Sequence, residues 1–164
     1  MFHRIAFSFF AAALVAPLSF SLGAFAQTPM RARPPESFKY LPAKEVEALT
    51  SKPGPGAQTS FPVDHEDYDV EYAQRSDKGN EPEVHTYRTH YIHVISGESS
   101  LTYGGTVTHA RETGPGQIRG DGIAGGTTIT VHAGDFLQIP AGMPHLFDVK
   151  PGGKFRYVVF DARQ

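Results

Sequence analysis

An all-β domain is expected, a sandwich or barrel preceded by one short helix, on three observations. From Tyr68 onward, apolar and polar residues alternate in short runs, the period of a half-buried strand. Gly- and Pro-containing clusters separate the runs at short intervals, as turns do. Helical spacing of apolar residues occurs once, ahead of the strands.

Residues 1–26 carry His3 and Arg4, an apolar run from Ile5 to Leu22, and Ala24-Phe25-Ala26. A basic start, an apolar middle and a small-x-small ending describe a signal peptide cleaved after Ala26. Arg4 stands alone where a twin-arginine signal has a pair, so a Sec-type export of the unfolded chain is expected. A periplasmic location follows, with secretion as the alternative, and any metal would be acquired after export. Residues 27–60 read as an arm and a short helix. The arm is rich in Pro and Arg (Pro29, Arg31, Arg33, Pro34, Pro35). Pro42 then opens a helix with Val46 and Leu49 three apart, and the cluster at residues 52–56 stops it.

Residues 61–164 form the expected β-domain. Tyr68, Val70 and Tyr72 alternate with Asp69, Glu71 and Ala73 in a first strand, and residues 76–82 turn. A second strand starts near Glu83, and a third runs over 90–95 with His90, Ile92 and Val94 on one face. Further strands are expected at 99–103, 127–131, 136–139, 145–149 and 155–160. Residues 110–126 hold six glycines and Pro115, which reads as a lid or a mobile excursion because it is too long for a hairpin loop.

Composition narrows the function. With residues 1–26 removed, whose only charged side chain is Arg4, the net charge goes from −2 to about −3. Nucleic acid, which wants a basic face, is not expected as a partner, and no membrane association is expected after cleavage. There are no cysteines, so disulfides and thiolate metal sites are excluded. No Gly-x-Ser-x-Gly element supports a serine nucleophile.

The chemistry gathers around residues 134–145, GDFLQIPAGMPH. An alternating strand meets Pro140 and Gly142, and His145 then begins the next apolar run, which aims an imidazole from a fixed position. Glu83 and His85, two apart, share a strand face, and His90 starts the following strand. Imidazole and carboxylate donors from three strands suit zinc, iron, manganese or nickel. His93 falls on the face opposite His90, and His65, His109 and His132 lie beside turns.

These residues resemble the cupin superfamily. Gly134-x5-Pro140-x-Gly142-x2-His145 matches its second motif. Its first motif, G-x5-H-x-H followed by Glu and, seven residues after that Glu, by Gly, is met by spacing from Gly97: His90 takes the Glu slot, His85 the second His slot and Glu83 the first. Asp77 stands where the leading glycine is expected, and Val149 where the second motif ends in Asn. The E-V-H segment, PGQIRG at 115–120 and the late G-D-x3-I-P-x-G-x-P-H are also similar to small exported cupins.

The resemblance implies a jelly-roll barrel with one short N-terminal helix, and one divalent metal held by Glu83, His85, His90 and His145. It also implies a homodimer. Metal-dependent chemistry on a small molecule (oxygenase, isomerase or lyase type) is the leading reading. A non-catalytic binder, or a barrel with a decayed site, is the alternative. Tyr87, Tyr103, Gln138, Phe147 and Tyr157 are candidates for the pocket wall. Arg119 joins them if its Gly-rich segment covers the barrel mouth, where it would bind an anionic substrate; pairing with Asp121 or exposure to water are the other readings.

Overall fold

The computed structural model describes residues 37–49, 51 and 54–164. The expected signal peptide and most of the arm lie outside the described residues. The chain divides between Phe38 and Lys39, and the β-domain belongs to the unit Lys39–Gln164.

The helix α1 covers Ala43–Leu49. Proline opens it as the spacing predicts, and the Pro42 carbonyl accepts from the Glu45 and Val46 amides at 2.8 and 3.1 Å. Thirteen strands come after it: β1 Ala57–Asp64, β2 Tyr68–Ser76, β3 Glu83–His85, β4 Arg88–Ser96, β5 Glu98–Tyr103, β6 Thr106–Thr108, β7 Arg111–Gly114, β8 Gln117–Arg119, β9 Gly122–Ala124, β10 Thr127–His132, β11 Phe136–Ile139, β12 His145–Asp148 and β13 Lys154–Arg163. They form a five-stranded sheet ordered β1-β2-β13-β4-β11, a six-stranded sheet ordered β10-β5-β12-β3-β8-β7, and a β6-β9 ribbon. Chain neighbours such as β3 and β4, or β11 and β12, fall in different sheets. That alternation makes a jelly roll and sets two sheets face to face.

The apolar core lies between the sheets. Ile92 and Val94 from β4, Phe155 and Val159 from β13, and Phe147 from β12 are nearly inaccessible. On β4 the alternation holds as expected, with His90 on the buried face and His93 exposed. Gly97, between β4 and β5, has φ +86°, and a Cβ there would lie 2.0 Å from the Lys154 carbonyl oxygen. Only glycine lets this turn pass so close to β13.

Two expectations need correction, and one face is newly assigned. The boundary at residue 61 falls inside β1, so the sheet begins earlier. β1 lies at a sheet edge and has no buried residue, so its sequence carries no alternation, and Pro62 is tolerated there. The Gly-rich stretch is not an excursion but three strands. β7 and β8 form a hairpin, β8 adds to β3, and β9 pairs with β6. Gly120 allows this close packing, since a Cβ would meet Val107 Cγ1 at 2.3 Å and the Thr108 carbonyl oxygen at 2.4 Å. Finally, β2 points its charged side inward. Asp69, Ala73 and Arg75 are buried, while Tyr68 on the other face stacks on Phe160 at 5.3 Å.

Candidate metal centre

Three elements aim imidazoles at one point between the sheets. His90 faces inward from β4 in the five-stranded sheet. Glu83 and His85 share a face of β3 in the six-stranded sheet. His145 opens β12 directly opposite Glu83 in the antiparallel register. The turn before His145 is tied to both partners' strands: the Gly142 amide donates to the His85 carbonyl at 2.9 Å, and the Ala141 amide to Thr89 Oγ1 at 3.2 Å. Gly142 adopts φ +76° to make that turn. The second motif thus works because its turn is bonded to the strands carrying the other two histidines.

One nitrogen from each of His85, His90 and His145 lies within 4.8 Å of the other two. The ring centroids are 4.7, 5.3 and 5.6 Å apart. The neighbours fix two tautomers. His145 Nδ1 is 3.0 Å from the Met143 carbonyl oxygen, which can only accept, so the hydrogen sits on Nδ1 and Nε2 keeps its lone pair. His90 Nδ1 bonds to the Asp161 carboxylate, which likewise leaves Nε2 bare. That Nε2 and His85 Nδ1 are buried with no hydrogen-bond partner. An orphaned buried polar atom costs about 1–3 kcal/mol, so three imidazoles facing one another are poor core. They fit a cation, which takes neutral imidazoles whose far nitrogens are held by a carboxylate or a carbonyl.

Glu83 stands beside two members of the triad. Its Oε2 is 3.6 Å from Nε2 of His85 and of His145, and it accepts from Arg75 Nη2 at 2.9 Å. Burial works to raise the Glu83 carboxyl, but the Arg75 guanidinium and the two imidazoles hold it well below the ordinary carboxylate range. Arg75 is itself buried. It donates from Nε to the Tyr157 hydroxyl at 2.8 Å and lies over the Phe147 ring at 5.4 Å. Burial also pushes the Tyr157 hydroxyl up, so it stays protonated.

Behind His90 lies a second charged layer. Asp69, Glu71 and Asp161 each place a carboxylate oxygen within 4.8 Å of the others. Arg163 bonds Asp69 Oδ2 at 2.7 Å, and Arg88 Nη1 lies 3.7 Å from both Asp69 and Asp161. Burial, with the Asp161 and Glu83 charges, pushes the Glu71 carboxyl up to about 8. These arginines and one retained proton balance the carboxylates, which leaves Asp161 free to orient His90.

The histidines open into a cavity of about 390 Å³. Among the expected wall residues, Arg119, Phe147 and Tyr157 line it. Tyr87 is 57% exposed on the outside, Tyr103 packs against the core, and Gln138 is on the exposed face of β11. Alternation around buried Ile139 sends Gln138 outward. Arg119 sits opposite Glu83 in the β3–β8 register with Nη2 3.5 Å from Glu83 Oε1, while Asp121 pairs with His109 at 3.0 Å. Sequence reasoning missed Glu71, Arg75, Arg88 and Asp161. Period two from His90, from Ala73 and from Val159 would have put Arg88, then Glu71 and Arg75, then Asp161 on inward faces, but a charged inward face reads as a solvated one.

No family model matches the chain, and no curated protein matches it. Solved structures do. An uncharacterized conserved protein with a double-stranded β-helix domain from Klebsiella pneumoniae superposes with a TM-score of 0.56 at 18% identity, over 78% of this chain and 91% of that one. The polyketide cyclase RemF from Streptomyces resistomycificus superposes with a TM-score of 0.52 at 21% identity, over 78% and 81%. At such identities the likeness is one of fold. Two facing antiparallel sheets, the sheet-switching strand order and these superpositions agree: the chain has a double-stranded β-helix, jelly-roll fold.

Proposed function

We propose that the chain is an exported single-domain cupin that holds one divalent metal ion between its sheets and acts as a metal-dependent enzyme on a small molecule. The observation that carries this reading is the triad His85, His90 and His145, with bare Nε2 atoms on His90 and His145 and buried nitrogens that have no partner. Glu83, kept ionised by Arg75, is the fourth donor. The donor set suits zinc, iron, manganese or nickel. Three or four protein ligands leave positions open, and an ion there supplies Lewis acidity to a substrate oxygen or activates a bound water.

The chain's own residues supply the rest. Asp161 and the Met143 carbonyl hold two rings in their ligating tautomers. Arg75 fixes Glu83 and is fixed by Tyr157. Apolar walls from Ile92, Phe147 and Val159 exclude water on the inner side. A fold neighbour named as a polyketide cyclase supports a reaction, rather than storage of an ion, inside such a barrel. Residues 1–26 support export to the periplasm.

Metal analysis of protein purified from periplasm tests the centre. One ion per chain is expected, lost in His85→Ala, His90→Ala and His145→Ala. Wild-type content in all three variants would show that the ligand set is wrong. A metal-free wild type after reconstitution would leave a barrel whose site has decayed. Turnover of pooled small molecules by the loaded protein, with and without dioxygen, then separates an enzyme from a binder.

A further inference from the structure

We infer that the cavity takes a small carboxylate with an apolar body, gripped by Arg88 and Arg119 beside the triad. The inference deepens the proposed function by naming a substrate class for the same site.

The cavity is lined by three guanidinium groups, Arg75, Arg88 and Arg119, and they are not equivalent. Arg75 is spoken for: buried, bonded to Tyr157 and Glu83, and stacked over Phe147. Arg88 is different. It precedes His90 by two residues on β4 and so shares its inward face, with the side chain 31% exposed. Its Nη1 is ion-paired at 3.7 Å to the Asp69 and Asp161 carboxylates, beyond hydrogen-bond reach, and the Arg88 side chain makes no hydrogen bond among the described residues. Arg119 faces the cavity from β8, in the other sheet, with its side chain 23% exposed. It spends one donor, Nη1, on its neighbour's carbonyl, and Nη2 stands 3.5 Å from Glu83 without a hydrogen bond. Two partly exposed guanidiniums in facing sheets thus keep most of their planar donors for a ligand. That fork matches a carboxylate.

Charge points the same way. Glu81 is paired outward with Arg111 at 2.6 Å. The remaining wall sets the three arginines against Glu71, Glu83 and Asp161, and Glu71 retains its proton up to about pH 8. A divalent ion at the triad adds to that surplus of positive charge, so an anion is the ligand the loaded cavity favours. Phe61, 49% exposed, lines the same cavity and provides the apolar contact for the rest of the molecule.

Isothermal titration of the mature chain with benzoate, and with benzamide as its neutral counterpart, tests this. The protein is used zinc-loaded and after chelation, with zinc content measured on each sample. Benzoate is expected to bind at least tenfold more tightly than benzamide to the wild type, and Arg88→Gln and Arg119→Gln each to weaken benzoate tenfold or more. Melting curves of both variants check folding, and the benzoate–benzamide comparison on wild type does not depend on it. Equal affinity for the two probes, no benzoate binding, or folded variants that bind benzoate like wild type would overturn the inference. A wild type that takes up no zinc on loading yet binds benzoate through Arg88 and Arg119 would refute the metal reading and uphold this one.

Discussion

Asp161→Asn isolates the contribution of a single carboxylate behind a single ligand. Asp161 and His90 are both buried, 1% and 8% exposed, and Asp161 Oδ1 holds His90 Nδ1. The amide keeps the shape but removes the charge, and its NH2 can offer a donor to Nδ1. The ring then prefers the tautomer with its hydrogen on Nε2, which cannot ligate. Losing such an outer partner costs about 10–100-fold in metal affinity, or about 1.4–2.8 kcal/mol. Because the Asp161 side chain is only 1% exposed, water has little room to replace it, and the upper end of that range is expected.

The metal-free protein should respond in the opposite sense. The Asp161 charge pushes up the carboxyls of Asp69 and Glu71, so its removal relieves repulsion, and Arg163 still holds Asp69. Zinc affinity is measured by competition with a chromophoric chelator, and stability of the metal-free form by urea denaturation. Loss of affinity with stability kept or raised is expected. A zinc affinity within threefold of wild type, in a variant with unchanged circular dichroism, would refute the idea that Asp161 sets the His90 tautomer.

Glu71 gives the domain a pH-dependent stability. Its folded-state carboxyl titrates at about 8 against an ordinary 4.5, so the folded chain keeps a proton that the unfolded chain has lost. Stability is therefore highest below about pH 4.5 as far as this group is concerned, falls as pH rises, and levels off above about pH 8. The drop is at most about 5 kcal/mol at about 1.36 kcal/mol per unit. Urea midpoints of wild type and Glu71→Gln across pH 5–8.5 should diverge, with the wild type losing more; parallel curves would contradict this. Gly97→Ala should destabilise by about 1–3 kcal/mol from its left-handed backbone alone, and more from the contact with Lys154, read as a lower urea midpoint at unchanged slope.

The donors of the candidate centre were legible because strand geometry is local. Glu83 and His85 share a face by being two apart, and His90 joins Ile92 and Val94 by the same rule. The turn at Pro140 and Gly142 places His145 at a strand start whatever lies around it. What holds the centre was not legible. Asp161 reaches His90 because β13 pairs with β4, and Arg75 reaches Tyr157 because β2 pairs with β13; both contacts link residues more than 70 positions apart.

The sequence by itself therefore determined the all-β class, the jelly-roll motifs and three inward histidines, all features of short range. The tertiary structure decided the rest. It turned the charged side of β2 inward, where Arg163 and Arg88 from other strands pair with Asp69, and Glu83 and Tyr157 take up Arg75. It also made three strands of the Gly-rich stretch, because β3 and β6 offered edges to which they could bond. A strand pattern states which residues share a face, but only the neighbouring strands determine whether a charged face meets water or a compensating charge.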